Sequence, residues 1–127
     1  MSYLLFLDDI RNPSDVLWEY FPRNLEFRIA RNYHEFVEMV MLHGMPQFVC
    51  FDHDLADEHY DDMLQEVAGH AANYGAEPSG YDCAKWLVEY CHQNSVKFPD
   101  YVVHSMNPIG RDRIIAYIKN AEKHLLG

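Results

Sequence analysis

Phe48 to Leu55 reads FVCFDHDL, an uncharged run that stops at Asp52, His53 and Asp54. Four residues suited to burial pass directly into three of the residue types that most often move protons or hold metals. Tyr3 to Asp9 (YLLFLDD) and Tyr101 to Asn107 (YVVHSMN) repeat the pattern, the first ending in Asp8 and Asp9, the second in His104 and Ser105. Continuous apolar runs of this length suit parallel strands covered on both faces. In open α/β sheets ligands collect outside the carboxyl ends of such strands. If the three strands are neighbours, Asp8, Asp9, Asp52, His53, Asp54, His104 and Ser105 share one rim.

Between these runs the apolar period changes. Ile10 to Ser14 forms a loop, and Ser14 or Asp15 can cap a short helix through Phe21, ended by Pro22. Leu25 to Ala30 alternates apolar and polar positions, as a more exposed strand near a sheet edge does. From Asn32 the apolar positions Phe36, Val37, Val40 and Met41 are spaced as one helical stripe, stopped by Gly44 and Pro46. Residues 56–78 are acidic and weakly periodic, an insertion over the cleft with one amphipathic turn around Met63 to Val67; connections this long are uncommon unless functional or mobile.

Ser79-Gly80-Tyr81-Asp82 then spells a capping box with Asp in place of Glu. The stripe Cys83, Ala84, Leu87, Tyr90 and Cys91 makes the following helix. Pro99 introduces the strand YVVH, Asn107 to Gly110 is a turn, and Ile114, Ile115, Ile118, Ala121 and Leu125 give the last helix its buried face. Strands alternating with helices in this way imply a doubly wound parallel α/β sheet. The expected order of the four strands is 2-1-3-4, with the switch point between the first and the third.

A length of 127 residues fits one domain, 1–127, with a core that needs no disulfides. A formal charge of -10 excludes an extended nucleic-acid face, because that mode of binding rests on phosphate neutralisation by Lys and Arg. Cys50, Cys83 and Cys91 are odd in number, lie in apolar segments and lack CxxC spacing, which fits buried free thiols in a reducing cytoplasm. The first apolar run is too short for a signal peptide, and no run approaches the roughly 20 residues that span a membrane.

The rim residues carry the chemistry. Converging carboxylates repel, so Asp8, Asp9 and Asp52 call for a hard divalent cation, Mg²⁺ ahead of a transition metal held with His53 or His104. No organic cofactor is implied. His53 and His104, on adjacent strand ends, could flank a phosphate, one activating water and the other protonating a leaving oxygen. Arg111 and Arg113 open the last helix, where the backbone dipole disfavours positive charge unless an anion docks there. Arg11 could close on the same phosphate, and Ser105 and Asn107 would add neutral hydrogen bonds. Trp18, Trp86 and most tyrosines fit the core or the rim, and Tyr81 could stack on a base. The Asp52-His53-Asp54 spacing also resembles the DxD of haloacid-dehalogenase-type phosphatases, but on the third strand and without their downstream signatures.

Two acids after the first strand, an aspartate after the third and a hydroxyl after the fourth resemble the response-regulator receiver domain. That resemblance implies Asp8 and Asp9 as metal-binding acids, Asp52 as a phospho-acceptor and Ser105 as the hydroxyl switch residue. The receiver's fifth strand, with its lysine, has no counterpart. A fuller likeness rests on LFLDDIRNP (5–13), FDHDL (51–55), SGYDCAKWL (79–87) and HSMNPIGRDRI (104–114). These stretches are similar to the cyclic-phosphate processing receiver-like domains, a divergent group of the same flavodoxin-like fold. The likeness implies processing of cyclic phosphodiesters, such as the 2',3'-cyclic phosphate of a nucleotide or an RNA end. His53, His104, Asp52 and Asp54 would then be catalytic, and Arg11, Ser105, Asn107, Arg111 and Arg113 would bind phosphate. The alternative is a non-enzymatic receiver-like signalling or nucleotide-binding module, phosphorylated on Asp52.

Overall fold

Leu4 to Leu7 are apolar at every position, and the strand that contains them, β1 (Tyr3–Leu7), is buried along its whole length at the middle of the sheet. A computed structural model describes residues 2–53 and 79–126. β2 (Glu26–Ala30), β3 (Phe48–Phe51) and β4 (Asp100–Val103) complete a four-stranded sheet of order β2-β1-β3-β4, with every pair parallel. The fold is receiver-like α/β, with the strand order its apolar runs implied. Asp54 and the expected insertion at 56–78 lie outside the described residues.

Among the described residues three α-helices accompany the strands: α1 (Tyr33–His43), α2 (Gly80–Asn94) and α3 (Pro108–His124). Strand side chains alternate between faces. Leu5, Leu7, Val49, Phe51 and Val103 form the larger core with Phe36 of α1, Leu87 of α2 and Ile114 of α3. Leu4, Phe6 and Cys50 turn the other way and pack with Val16 and Phe21 from the β1–β2 connection. All three thiols are free and buried, and burial pushes the Cys91 thiol up to about 11.

That connection corrects one expectation. The helix foreseen from Ser14 or Asp15 to Phe21 is only a 3-10 turn, Pro13–Asp15, after which the chain runs irregularly to β2. Arg23 explains the difference: Nη1 donates to the Pro13 carbonyl at 2.7 Å and Nη2 to the Val16 carbonyl at 2.8 Å, carbonyls a helix would have used internally. Its guanidinium also lies 3.8 Å above the Phe21 ring. Val16 and Phe21 are buried while Leu17 and Tyr20 are exposed, a five-residue spacing that no helical face provides.

The helix ends follow local chemistry. Asn32 caps α1 by accepting from the Glu35 amide at 2.9 Å, and Gly44 closes it at φ 83°, a conformation that side chains disfavour. The capping box forms as spelled, with the Ser79 amide donating to Asp82 at 2.7 Å. Asn107 to Gly110, expected as a turn, opens α3: Asn107 Oδ1 accepts from the Gly110 amide at 3.1 Å, and Pro108 stands where a missing N–H costs nothing. Leu125 falls beyond the end of α3 and is half exposed, so it is not part of the buried face. Among the described residues no helix is long and apolar enough to cross a membrane.

Candidate functional site

The sheet register carries three polar residues into one row. Phe6 pairs with Cys50, and Cys50 with Val102. Two residues further along, with side chains returned to the same face, stand Asp8, Asp52 and His104. The ladder continues past the strand ends to hold them, with the Asp8 amide on the Ala30 carbonyl at 3.1 Å and the His104 amide on the Phe51 carbonyl at 2.9 Å. All three side chains are buried.

His104 is fixed from several sides. Its ring stacks on Phe6, with centroids 4.7 Å apart and planes 9° from parallel, and its Nε2 lies 2.9 Å from Asp8 Oδ2. Asp8 Oδ1 accepts the amides of Ile10 at 3.0 Å and Arg11 at 2.8 Å. Burial alone would raise the Asp8 pKa, but the hydrogen bonds from His104 and these amides outweigh it and hold the carboxyl well below the usual range. An ionised carboxylate can only accept, so Nε2 is the donor in the pair. The other ring nitrogen, Nδ1, is buried and has no hydrogen-bond partner among the described residues.

One ligand atom from each of Asp8, Asp52 and His104 lies within 4.8 Å of the other two, so these residues could hold a divalent cation. Asp9 stands outside that group. Its carboxyl is pushed up by burial first, and then by the hydrogen bond and charge of Asp8.

His53 also takes a different setting from His104. Its carbonyl accepts from the Gly80 amide at 3.0 Å, and its ring lies against Gly110 at the start of α3. A Cβ on Gly110 would come within 2.3 Å of His53 Cγ, and one on Gly80 within 1.5 Å of the Asp52 carbonyl oxygen. The starts of α2 and α3 therefore close directly on the Asp52–His53 turn.

The phosphate-binding expectations divide. Arg11 reaches the row, with Nη1 3.6 Å from Asp8 Oδ2. Arg111 lies 3.9 Å from Glu19 and 3.7 Å from Asp112, and Arg113 lies 4.2 Å over the Tyr81 ring. Ser105 is buried and accepts from the Asn107 amide at 3.2 Å, while Asn107 Oδ1 serves as the cap of α3. Trp18, expected at the core or the rim, is partly exposed, and its Nε1 donates to the His104 carbonyl at 2.7 Å.

A family model described as the cyclic-phosphate processing Receiver domain matches residues 3–120. No curated protein and no solved structure matched the chain.

Proposed function

The chain belongs to the cyclic-phosphate processing Receiver domain family, and from that premise we propose that its cleft hydrolyses cyclic phosphodiesters. The substrate class is the 2',3'-cyclic phosphate of a nucleotide or an RNA end. The observation that carries this reading is the buried Asp8–His104 hydrogen bond in one row with Asp52.

In the proposed reaction a water oxygen attacks phosphorus, one P–O bond of the ring breaks, and a phosphomonoester with a free ribose hydroxyl results. One proton must leave the water and one must reach the departing oxygen. His104 takes the first, because Asp8 orients the ring and its negative charge stabilises the imidazolium that forms. His53 is assigned the second, from the turn after β3. Arg11 offsets the negative charge that grows on the phosphoryl oxygens.

A divalent cation fits the carboxylates of Asp8 and Asp52 with His104 completing the donor set, and when bound it would supply charge neutralisation at phosphorus. The imidazole makes a transition metal such as Zn²⁺ a better match than Mg²⁺, which prefers oxygen ligands alone. Ligation and proton transfer by His104 are then alternatives. A panel of cyclic nucleotides and cyclic-phosphate-ended oligonucleotides, run with and without chelator, tests both. Opened phosphomonoester is the expected product, lost in His104→Gln; no opened product from any substrate would overturn the proposal.

A second reading is a receiver-type module phosphorylated on Asp52, favoured by the proximity of the Asp8 and Asp52 carboxylates at neighbouring strand ends. The described sheet ends at β4, without the lysine-bearing fifth strand of receivers. Acetyl phosphate with Mg²⁺, followed by mass measurement, would detect a stable acyl phosphate if this reading holds.

A further inference from the structure

Arg11 links the acid–imidazole row to a half-exposed indole. Its Nη1 lies 3.6 Å from Asp8 Oδ2, while its guanidinium carbon sits 5.2 Å from the centroid of the Trp18 ring. Trp18 in turn donates its N–H to the carbonyl of His104 at 2.7 Å and is 44% exposed. An indole whose polar atom is satisfied by the backbone of the site has a fixed orientation, and with Arg11 over its ring it offers a joint stacking surface.

The neighbouring loops show the same bias. Ile10, after β1, and Met106, after β4, are largely exposed, and Arg11 Nη2 lies 3.8 Å from Met106 Sδ. Single exposed apolar side chains are ordinary. Here two of them flank a cation that spans from a tryptophan to a carboxylate of the row.

We propose that Trp18 and Arg11 form a base-binding subsite, so that the cleft takes nucleotides in preference to cyclic phosphodiesters that carry no base. The inference deepens the hydrolase reading and rests on it for the chemistry at phosphorus. Bases stack on indole and guanidinium planes without needing a sequence-specific hydrogen bond. A base stacked on the Arg11–Trp18 pair points its sugar and phosphate along Arg11 toward Asp8, Asp52 and His104. Tyr81 also carries a guanidinium, Arg113 at 4.2 Å, but its ring is met edge-on by Tyr117 at 5.5 Å as well.

Calorimetric binding of a nucleoside 3'-monophosphate, compared with ribose 5-phosphate, tests the subsite without requiring turnover. Wild-type protein should favour the nucleotide. Trp18→Ala should cut nucleotide affinity roughly 5- to 150-fold, the range of base–aromatic stacking, and abolish the preference. Trp18→Phe keeps a ring but not the N–H, so it should retain most of the preference. Equal wild-type affinity for the two ligands, or no nucleotide binding, would overturn the subsite. So would equal losses on both ligands in both variants, the pattern expected if Trp18 only props His104. Hydrolysis of cyclic phosphodiesters without base preference would keep the hydrolase and remove the subsite. Nucleotide preference without hydrolysis would do the reverse.

Discussion

Nε2 of His104 lies 2.9 Å from Oδ2 of Asp8, although 96 residues separate them and both side chains are buried. Asp8 also receives two backbone amides, so its removal leaves three buried or half-buried donors without an acceptor. Asp8→Ala should therefore cost about 3 kcal/mol or more in urea unfolding, in line with leaving several buried donors unsatisfied at once. Asp8→Asn should cost less, because its amide oxygen can still accept from Ile10 and Arg11. A loss below about 1 kcal/mol for the alanine variant would mean that water replaces the carboxylate and that the pair is not buried in solution.

How far this pair was legible follows from parity. Apolar runs ending in acids and imidazoles gave away the three strand ends and their neighbourhood. They could not say which of two adjacent residues enters the row, because Asp8 and Asp9, or Asp52 and His53, differ only in which face they take, and register decides that. Trp18 was beyond reach for another reason: its partner is a backbone carbonyl 86 residues away, and backbone acceptors leave no mark on composition. The helix expected through Phe21 failed similarly. A turn does form at Pro13–Asp15, but its cap is Asn12, whose amide donates to Asp15, and not Ser14 or Asp15, and Arg23 takes the carbonyls of Pro13 and Val16.

The closed junction behind Asp52 makes a second prediction. A methyl group at Gly80 would overlap the Asp52 carbonyl, which is backbone and cannot rotate away, whereas one at Gly110 would meet the His53 ring, which can. Gly80→Ala should lower stability by about 3 kcal/mol or prevent folding, placing it among the severe substitutions. Gly110→Ala should fold with a smaller loss and a changed His53 chemical shift. Similar thermal melts for the two variants would show that α2 does not pack this tightly on the end of β3.

Metal preference discriminates the row from the all-carboxylate set. Any ion that binds only the folded state raises its melting temperature. Zn²⁺ should raise it more than Mg²⁺, chelator should reverse the shift, and Asp52→Asn should remove it while Asp9→Asn retains it. A larger Mg²⁺ shift that disappears in Asp9→Asn would assign binding to Asp8, Asp9 and Asp52 instead.

Tyr3 supplies the pH-dependent prediction. Burial is the main cause that pushes its phenol from 10.0 to about 12, with the Arg28 charge opposing. The hydroxyl donates to the Gly44 carbonyl at 2.5 Å, a bond that only the protonated form can make. The folded pKa lies above the unfolded one, so the stability from this group is complete below pH 10.0 and is lost as pH rises through about 12. Tyr3→Phe lacks both the titration and the bond. It should start about 1 kcal/mol less stable near neutrality and then lose less than wild type as pH rises across that interval. Unfolding free energies measured across the same range check this. Parallel profiles for the two proteins would show that Tyr3 ionises as freely in the folded state as in the unfolded chain.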